Sequence, residues 1–195
     1  MRSSWIRIDK VALARNATAL PIRGILTFPR GDFLLDAIAQ PHATSHHPTL
    51  SIVPRSDDPY DLDRFVRAQA PDYARALSEL RAGQKRSHWM WYVFPQIEGL
   101  GGSAMSRRYS IKSEAEARAY LDHSLLGARL RECFAAVQNV DGRSALEIFG
   151  SPDDLKLRSC ATLFAAVSDE SVFEDVLQRY FGGQRDEETL RRLRL

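Results

Sequence analysis

Two stretches, Ser113-Glu114-Ala115-Glu116 and Ser144-Ala145-Leu146-Glu147, set a serine three residues ahead of a glutamate. In that spacing the serine oxygen accepts the glutamate's backbone amide, and the carboxylate reaches back to the serine amide. Two orphan donors of a helix start are then satisfied together. Such caps commit a chain to helices with fixed starting points, and the apolar spacing that follows agrees. Leu125, Leu126, Leu130, Cys133, Phe134 and Val137 recur three and four residues apart, as one buried stripe requires. Gly150 closes the helix carrying Leu146, Ile148 and Phe149. Ser151 as N-cap, Pro152 at the first helical position and the acids Asp153 and Asp154 predict the next start. Its expected apolar face is Leu155, Cys160, Leu163, Phe164 and Val167. Val172, Phe173, Val176, Leu177 and Tyr180 predict a further helix that stops at Gly182-Gly183. Asp186 caps a last one bearing Leu190, Leu193 and Leu195.

Upstream, Leu62, Phe65, Val66 and Gln69 share one helical face, and Pro71 ends that helix and begins the next. The second helix presents Tyr73, Ala76, Leu77 and Leu80 and stops at Gly83. Trp89 to Phe94 reads as a short helix capped by Ser87 and ended by Pro95. No period-two alternation and no internal repeat is found. The fold class is mostly α: a single multihelical domain packed around its apolar faces.

Residues 1–55 read differently. They hold no Glu, five scattered prolines and no sustained helical period. Gly24 to Phe28 suits a strand and Phe33 to Ala39 a short helix, without evident partners. His42, His46 and His47 lack a Cys or carboxylate to complete a metal set, so no metal is expected. The expectation is a poorly structured N-terminal leader, 1–55, outside the fold, followed by a helical domain, 56–195. The reading frame itself is a candidate for over-extension, with a native start near Val53.

Charge supports the division. Residues 1–55 carry seven basic and three acidic side chains, whereas 56–195 carry twenty basic and twenty-two acidic. The domain is therefore not a nucleic-acid binder by charge, and no nucleic-acid partner is expected. No apolar run approaches the roughly 18 residues of a membrane span, and none resembles a secretory signal. Cys133 and Cys160 sit in apolar helical contexts, outside any CxxC or Cys/His spacing. They read as buried thiols in a reducing, cytoplasmic setting.

Chemistry-bearing residues concentrate in Gly83–Tyr109 and in 153–159. Lys85-Arg86-Ser87-His88 precedes an aromatic segment, with Lys85 as an anion anchor and His88 as a general acid–base. Trp91 is the expected stacking surface among Trp89, Trp91, Tyr92 and Phe94, the others being core. In Gln96 to Ser103 the glycines Gly99, Gly101 and Gly102 allow close backbone approach, and Gln96, Gly101 and Ser103 are candidate ligand contacts. The spacing is neither that of a dinucleotide fingerprint nor that of a P-loop. Asp153, Asp154, Lys156, Arg158 and Ser159 form the second cluster, with Asp154 and Arg158 one helical turn apart. Asp154 at a helix start stays ionised and is the expected partner of His88. The two stretches predict a pocket for a small anionic or nucleotide-like ligand. They specify no cofactor and no protein partner. The rival reading is a non-catalytic helical interaction module whose aromatics are simply core.

KRSHWMWYVFPQIEGLGGS, YSIKSEAEARAYLDHSLLGARL and ALEIFGSPDDLKLRSCATLF resemble the domain-of-unknown-function 1810 family of small bacterial proteins. The resemblance covers about residues 60–193 in order. It implies a mostly helical single domain and no established activity. This chain has Ser124 where the family usually has Pro, and Gly101-Gly102 where it usually has one Gly. Some family members are labelled calpastatin. No inhibitor repeat is found here to support that label.

Overall fold

The stripes fold inward. In the computed structural model, which describes residues 58–193, the helices are α1 Asp63–Gln69, α2 Tyr73–Arg81, α3 Met90–Val93, α4 Ala104–Arg108, α5 Glu114–Asp122, α6 Leu126–Gln138, α7 Ala145–Phe149, α8 Asp153–Val167, α9 Ser171–Phe181 and α10 Glu187–Leu193. An isolated parallel bridge joins Ile97 to Ile111, with Ile111 N donating to Gln96 O at 2.8 Å and Glu98 N to Ile111 O at 2.8 Å. No strand ladder forms among the described residues, as the mostly α reading requires. The proposed strand and helix within 1–55, His42, His46, His47 and Leu195 lie outside the described residues.

Two helices organise the packing. α8 packs against α5, α7, α9 and α10, while α6 packs against α2, α5 and α9. Their apolar faces meet through aromatic rings. Trp89 contacts Phe94, Phe94 contacts Phe134 edge-on at 5.1 Å, and Phe134 contacts Phe173 at 5.0 Å. The series continues through Phe164, Tyr120 and Phe65 to Tyr109 and Tyr92. Edge-on and tilted geometry sets the positive ring edge against a negative face. Gln69, almost fully buried, donates to Tyr92 O at 2.7 Å and to the Tyr120 hydroxyl at 3.0 Å.

Several local expectations are corrected. The Ser144–Glu147 capping box forms with both arms. At Ser113 only one arm does: Ser113 accepts Glu116 N, but Glu116 reaches back to the amide of Lys112 and to the guanidinium of Arg64. Ser87 does not cap the Trp segment; Trp89 occupies that position without a side-chain bond, and α3 is a single turn. Ser151 is not the N-cap of α8. Pro152 is, and the first turn bonds back to Gly150 O and Pro152 O. Pro71 lies in the connection between α1 and α2, two residues before Tyr73. Leu155 is 47% exposed, because it sits in the first turn of α8, before the helix enters the core. Ser103 starts α4 by accepting Ser106 N at 3.0 Å.

Candidate functional site

The loop from Gly83 to Trp89 is held by one carboxylate, Glu79 of α2. It accepts from the amides of Arg86 at 2.8 Å and Ser87 at 3.1 Å, from the Ser87 hydroxyl at 2.6 Å and from the Trp89 indole at 2.8 Å. Burial alone would raise its pKa, but these donors outweigh burial and draw it down to about 2. The loop is also pinned to α7, since Lys85 N donates to Ile148 O at 2.7 Å. Trp89 is fully buried against Phe94 and Phe149.

This fixed loop delivers Lys85 to the start of α8. Its ammonium lies 2.7 Å from one oxygen of Asp153, and that of Lys156 lies 2.6 Å from the other. The three side chains are 9%, 21% and 18% exposed, so the cluster is sheltered but open on one side. Burial pushes the Asp153 pKa up, yet the hydrogen bonds and charges of Lys156 and Lys85 prevail and hold it below the ordinary carboxylate value. Each ammonium also faces an indole: Lys85 is 5.2 Å from the Trp89 ring centre and Lys156 4.9 Å from that of Trp91. Both distances fall within cation–π range. Of the four aromatics in this segment, Trp91 is the half-buried one, and Trp89, Tyr92 and Phe94 are core.

The structure thus joins Lys85 and Lys156 through Asp153, a member of the second polar cluster that was not among the expected site residues, and sets Trp91 beside Lys156. The signal for Asp153 was the i, i+3 spacing to Lys156. The other expected residues are placed differently. His88 is exposed, and its carbonyl receives the Tyr92 hydroxyl at 3.3 Å. Among the described residues no hydrogen bond or ion pair joins His88 to Asp154. Asp154 Oδ1 and Arg158 Nε are buried atoms without a hydrogen-bond partner there. Arg158 lines a separate cavity with residues 183–188 and Leu190.

Gln96 and the glycines belong to another part of the surface. Gln96 is half-buried and its carbonyl is used by the bridge to Ile111. Gly99, at φ +91°, is covered by Arg192 of α10, whose guanidinium lies where a Cβ would stand and donates to Glu98 O at 3.4 Å. A side chain at Gly101 would meet Ser106. The Ser103 hydroxyl is committed to capping α4, and Gly102 O accepts from Arg107. None of five cavities found among the described residues is lined by Lys85, His88, Trp91, Gln96, Gly101, Ser103, Asp154 or Lys156.

Other chemistries can be placed. Cys133 and Cys160 are free and buried; burial pushes the first thiol up to about 12 and the second well above its ordinary value. Neither is a thiolate near neutral pH. Among the described residues no group of three His, Cys, Asp or Glu side chains is set to hold a metal ion. No helix there is long and apolar enough to cross a membrane.

Comparison with known proteins follows the same boundaries. Residues 59–193 match the family described as "Protein of unknown function (DUF1810)". The fold is shared with the conserved hypothetical protein Rv1873 from Mycobacterium tuberculosis, solved crystallographically at 1.38 Å, with a TM-score of 0.70 and 55% identity. That match covers 71% of this chain and 99% of the mycobacterial one. No curated protein matches. With more than half of its length matched, the chain belongs to the DUF1810 family.

Proposed function

We propose, for this member of the DUF1810 family, that it binds a small anionic ligand at the Lys85–Asp153–Lys156 cluster, with Trp91 as its stacking surface. The observation that carries the reading is that two ammonium groups share one carboxylate, at 2.7 and 2.6 Å. The bonded group keeps one uncompensated positive charge in a sheltered position. There the effective dielectric is lower than in water and attraction for an anion is stronger. The half-buried Trp91 beside Lys156 gives a planar ligand an apolar face. The reading is one of binding. Proton transfer by His88 and Asp154 would require both to reach one ligand, and a double-mutant cycle of His88→Ala and Asp154→Asn reads that coupling. A cytoplasmic setting accompanies the proposal, on the ground of the two free, buried cysteines.

Thermal shift with nucleotides, sugar phosphates and nicotinamide-related compounds tests it. A ligand at a hundred times its dissociation constant adds about 2.7 kcal/mol. The expected result is a shift in the wild type that is lost in Lys156→Gln and reduced in Trp91→Leu. Equal shifts in wild type and Lys156→Gln would remove the cluster from the binding site.

A second reading, a helical interaction module, is favoured by Leu146 on α7 and Leu155 on α8, which are 55% and 47% exposed on two helices that pack together. Exposed leucines on two packed helices offer apolar surface that another protein can cover. Under this reading Leu146→Glu abolishes association with a protein partner and leaves the thermal-shift response intact.

A further inference from the structure

A second positively charged place lies away from that cluster. A cavity of about 520 Å³ is lined by Tyr60, Asp61, Arg64, Arg107, Arg108, Lys112 and Glu116, among others. Its charges divide into two kinds. Arg64 is a brace. Its Nε donates to Arg108 O at 3.0 Å, and its Nη1 to Tyr60 O and to Asp61 O at 2.8 Å. Its Nη2 donates to Ser110 O at 2.8 Å and to Glu116. A guanidinium has five N–H groups, and these contacts use all of them. Glu116, 2% exposed, is equally committed, with one oxygen on Arg64 and the other accepting Lys112 N at 2.9 Å. This buried pair positions the wall and has nothing left for a ligand.

Arg107, Arg108 and Lys112 are the other kind. All three are exposed, and none forms an ion pair with a carboxylate among the described residues. Arg107 spends one contact on Gly102 O, and Arg108 rests its guanidinium 5.5 Å from the Tyr109 ring centre. The remaining lining carboxylate is Asp61, likewise without an ion-pair partner there. Set against the Arg64–Glu116 pair, three cations and one anion leave two positive charges facing the cavity.

We propose that this cavity binds a small phosphate-bearing dianion. A phosphate group carries about −1.5 to −2 charges at neutral pH, which matches that excess. Guanidinium forks donate to phosphate oxygens two at a time, and a lysine adds a point charge. The volume is within the roughly 300–1,000 Å³ of small-ligand sites. The proposal is independent of the Lys85–Asp153–Lys156 reading, since the two sites share no residue.

Titration calorimetry of the full chain at low salt, with inorganic phosphate, inorganic pyrophosphate and adenosine diphosphate as probes, tests the assignment. The expected result is saturable binding of at least one probe at one site per chain. Arg107→Gln and the pair Arg108→Gln/Lys112→Gln each weaken it at least ten-fold while the melting temperature stays at the wild-type value. Arg81→Gln, which removes an exposed cation of α2 outside the cavity lining, binds that probe as the wild type does. Preference for adenosine diphosphate over pyrophosphate identifies a nucleotide as the source of the phosphate; the reverse identifies a free phosphate. Absence of saturable binding by all three probes overturns the proposal. So does binding that Arg107→Gln and the Arg108→Gln/Lys112→Gln pair leave unchanged, or that Arg81→Gln weakens as much as they do.

Discussion

A carboxylate that accepts four hydrogen bonds from one loop fixes that loop, and Glu79 does this for Arg86, Ser87 and Trp89. The indole N–H of a fully buried tryptophan needs such an acceptor, because an unmatched buried donor costs about 1–3 kcal/mol. Glu79→Ala should therefore lower stability by about that amount in urea denaturation at neutral pH. The pH dependence has a definite sign. The folded-state pKa, about 2, lies below the ordinary value of 4.5. The unfolded chain thus takes up protons first, and Glu79's contribution is fully present above about pH 4.5 and lost as pH falls toward 2. Glu79→Gln should flatten the stability profile in that window. A profile as steep as that of the wild type would mean that other carboxylates carry the acid transition.

The α5–α6 junction makes a demand on one residue that no helix propensity announces. Gly127 stands in the first turn of α6, and a Cβ there would lie 2.0 Å from Leu121 O, the carbonyl that also receives Arg131 Nη1. Alanine, ordinarily the better helix former, must here push two helices apart. Overpacking of this kind costs about 1–3 kcal/mol. Gly127→Ala should be destabilising by chemical denaturation, whereas the same change at a free helical position gains about 1 kcal/mol; a stabilised variant would show that the junction relaxes without cost. This contrast marks what was legible in the sequence. Stripes such as Leu130, Cys133, Phe134 and Val137, and the box Ser144–Glu147, are local patterns and could be read directly. Glu79 and Arg192 act on residues that only the tertiary fold brings near, and so does Asp153 in reaching Lys85. The Ile97–Ile111 bridge is too short to leave an alternating pattern. In the candidate site, Lys85, Trp91 and Lys156 could be proposed by type and Asp153 stood in the same polar cluster, but that Asp153 joins the two lysines depends on the tertiary fold.

At the scale of the whole molecule the open question is where the folding unit begins. Residues 1–55 hold seven basic and three acidic side chains and no Glu, whereas the remainder is slightly acidic. The family match starts at residue 59, and the mycobacterial chain of the same fold has almost nothing outside the aligned region. The large aromatics Phe65, Trp89, Phe94, Phe134, Phe164 and Phe173 are each fully buried, and the ring-to-ring contacts that link them are made within 58–193. A chain beginning at residue 56 should accordingly keep a cooperative unfolding transition, with a stability change in the range of surface substitutions, about 0.5 kcal/mol. Urea denaturation of the full and shortened chains, followed by far-ultraviolet dichroism and by tryptophan fluorescence, measures this. Trp89 and Trp91 both remain in the shortened chain, and Trp5 is removed, so the fluorescence reports the domain alone. Coincident transitions from the two probes are the mark of two-state unfolding. Loss of cooperativity, or a drop of several kcal/mol, would show that the first 55 residues pack on the helical core and contribute to its stability.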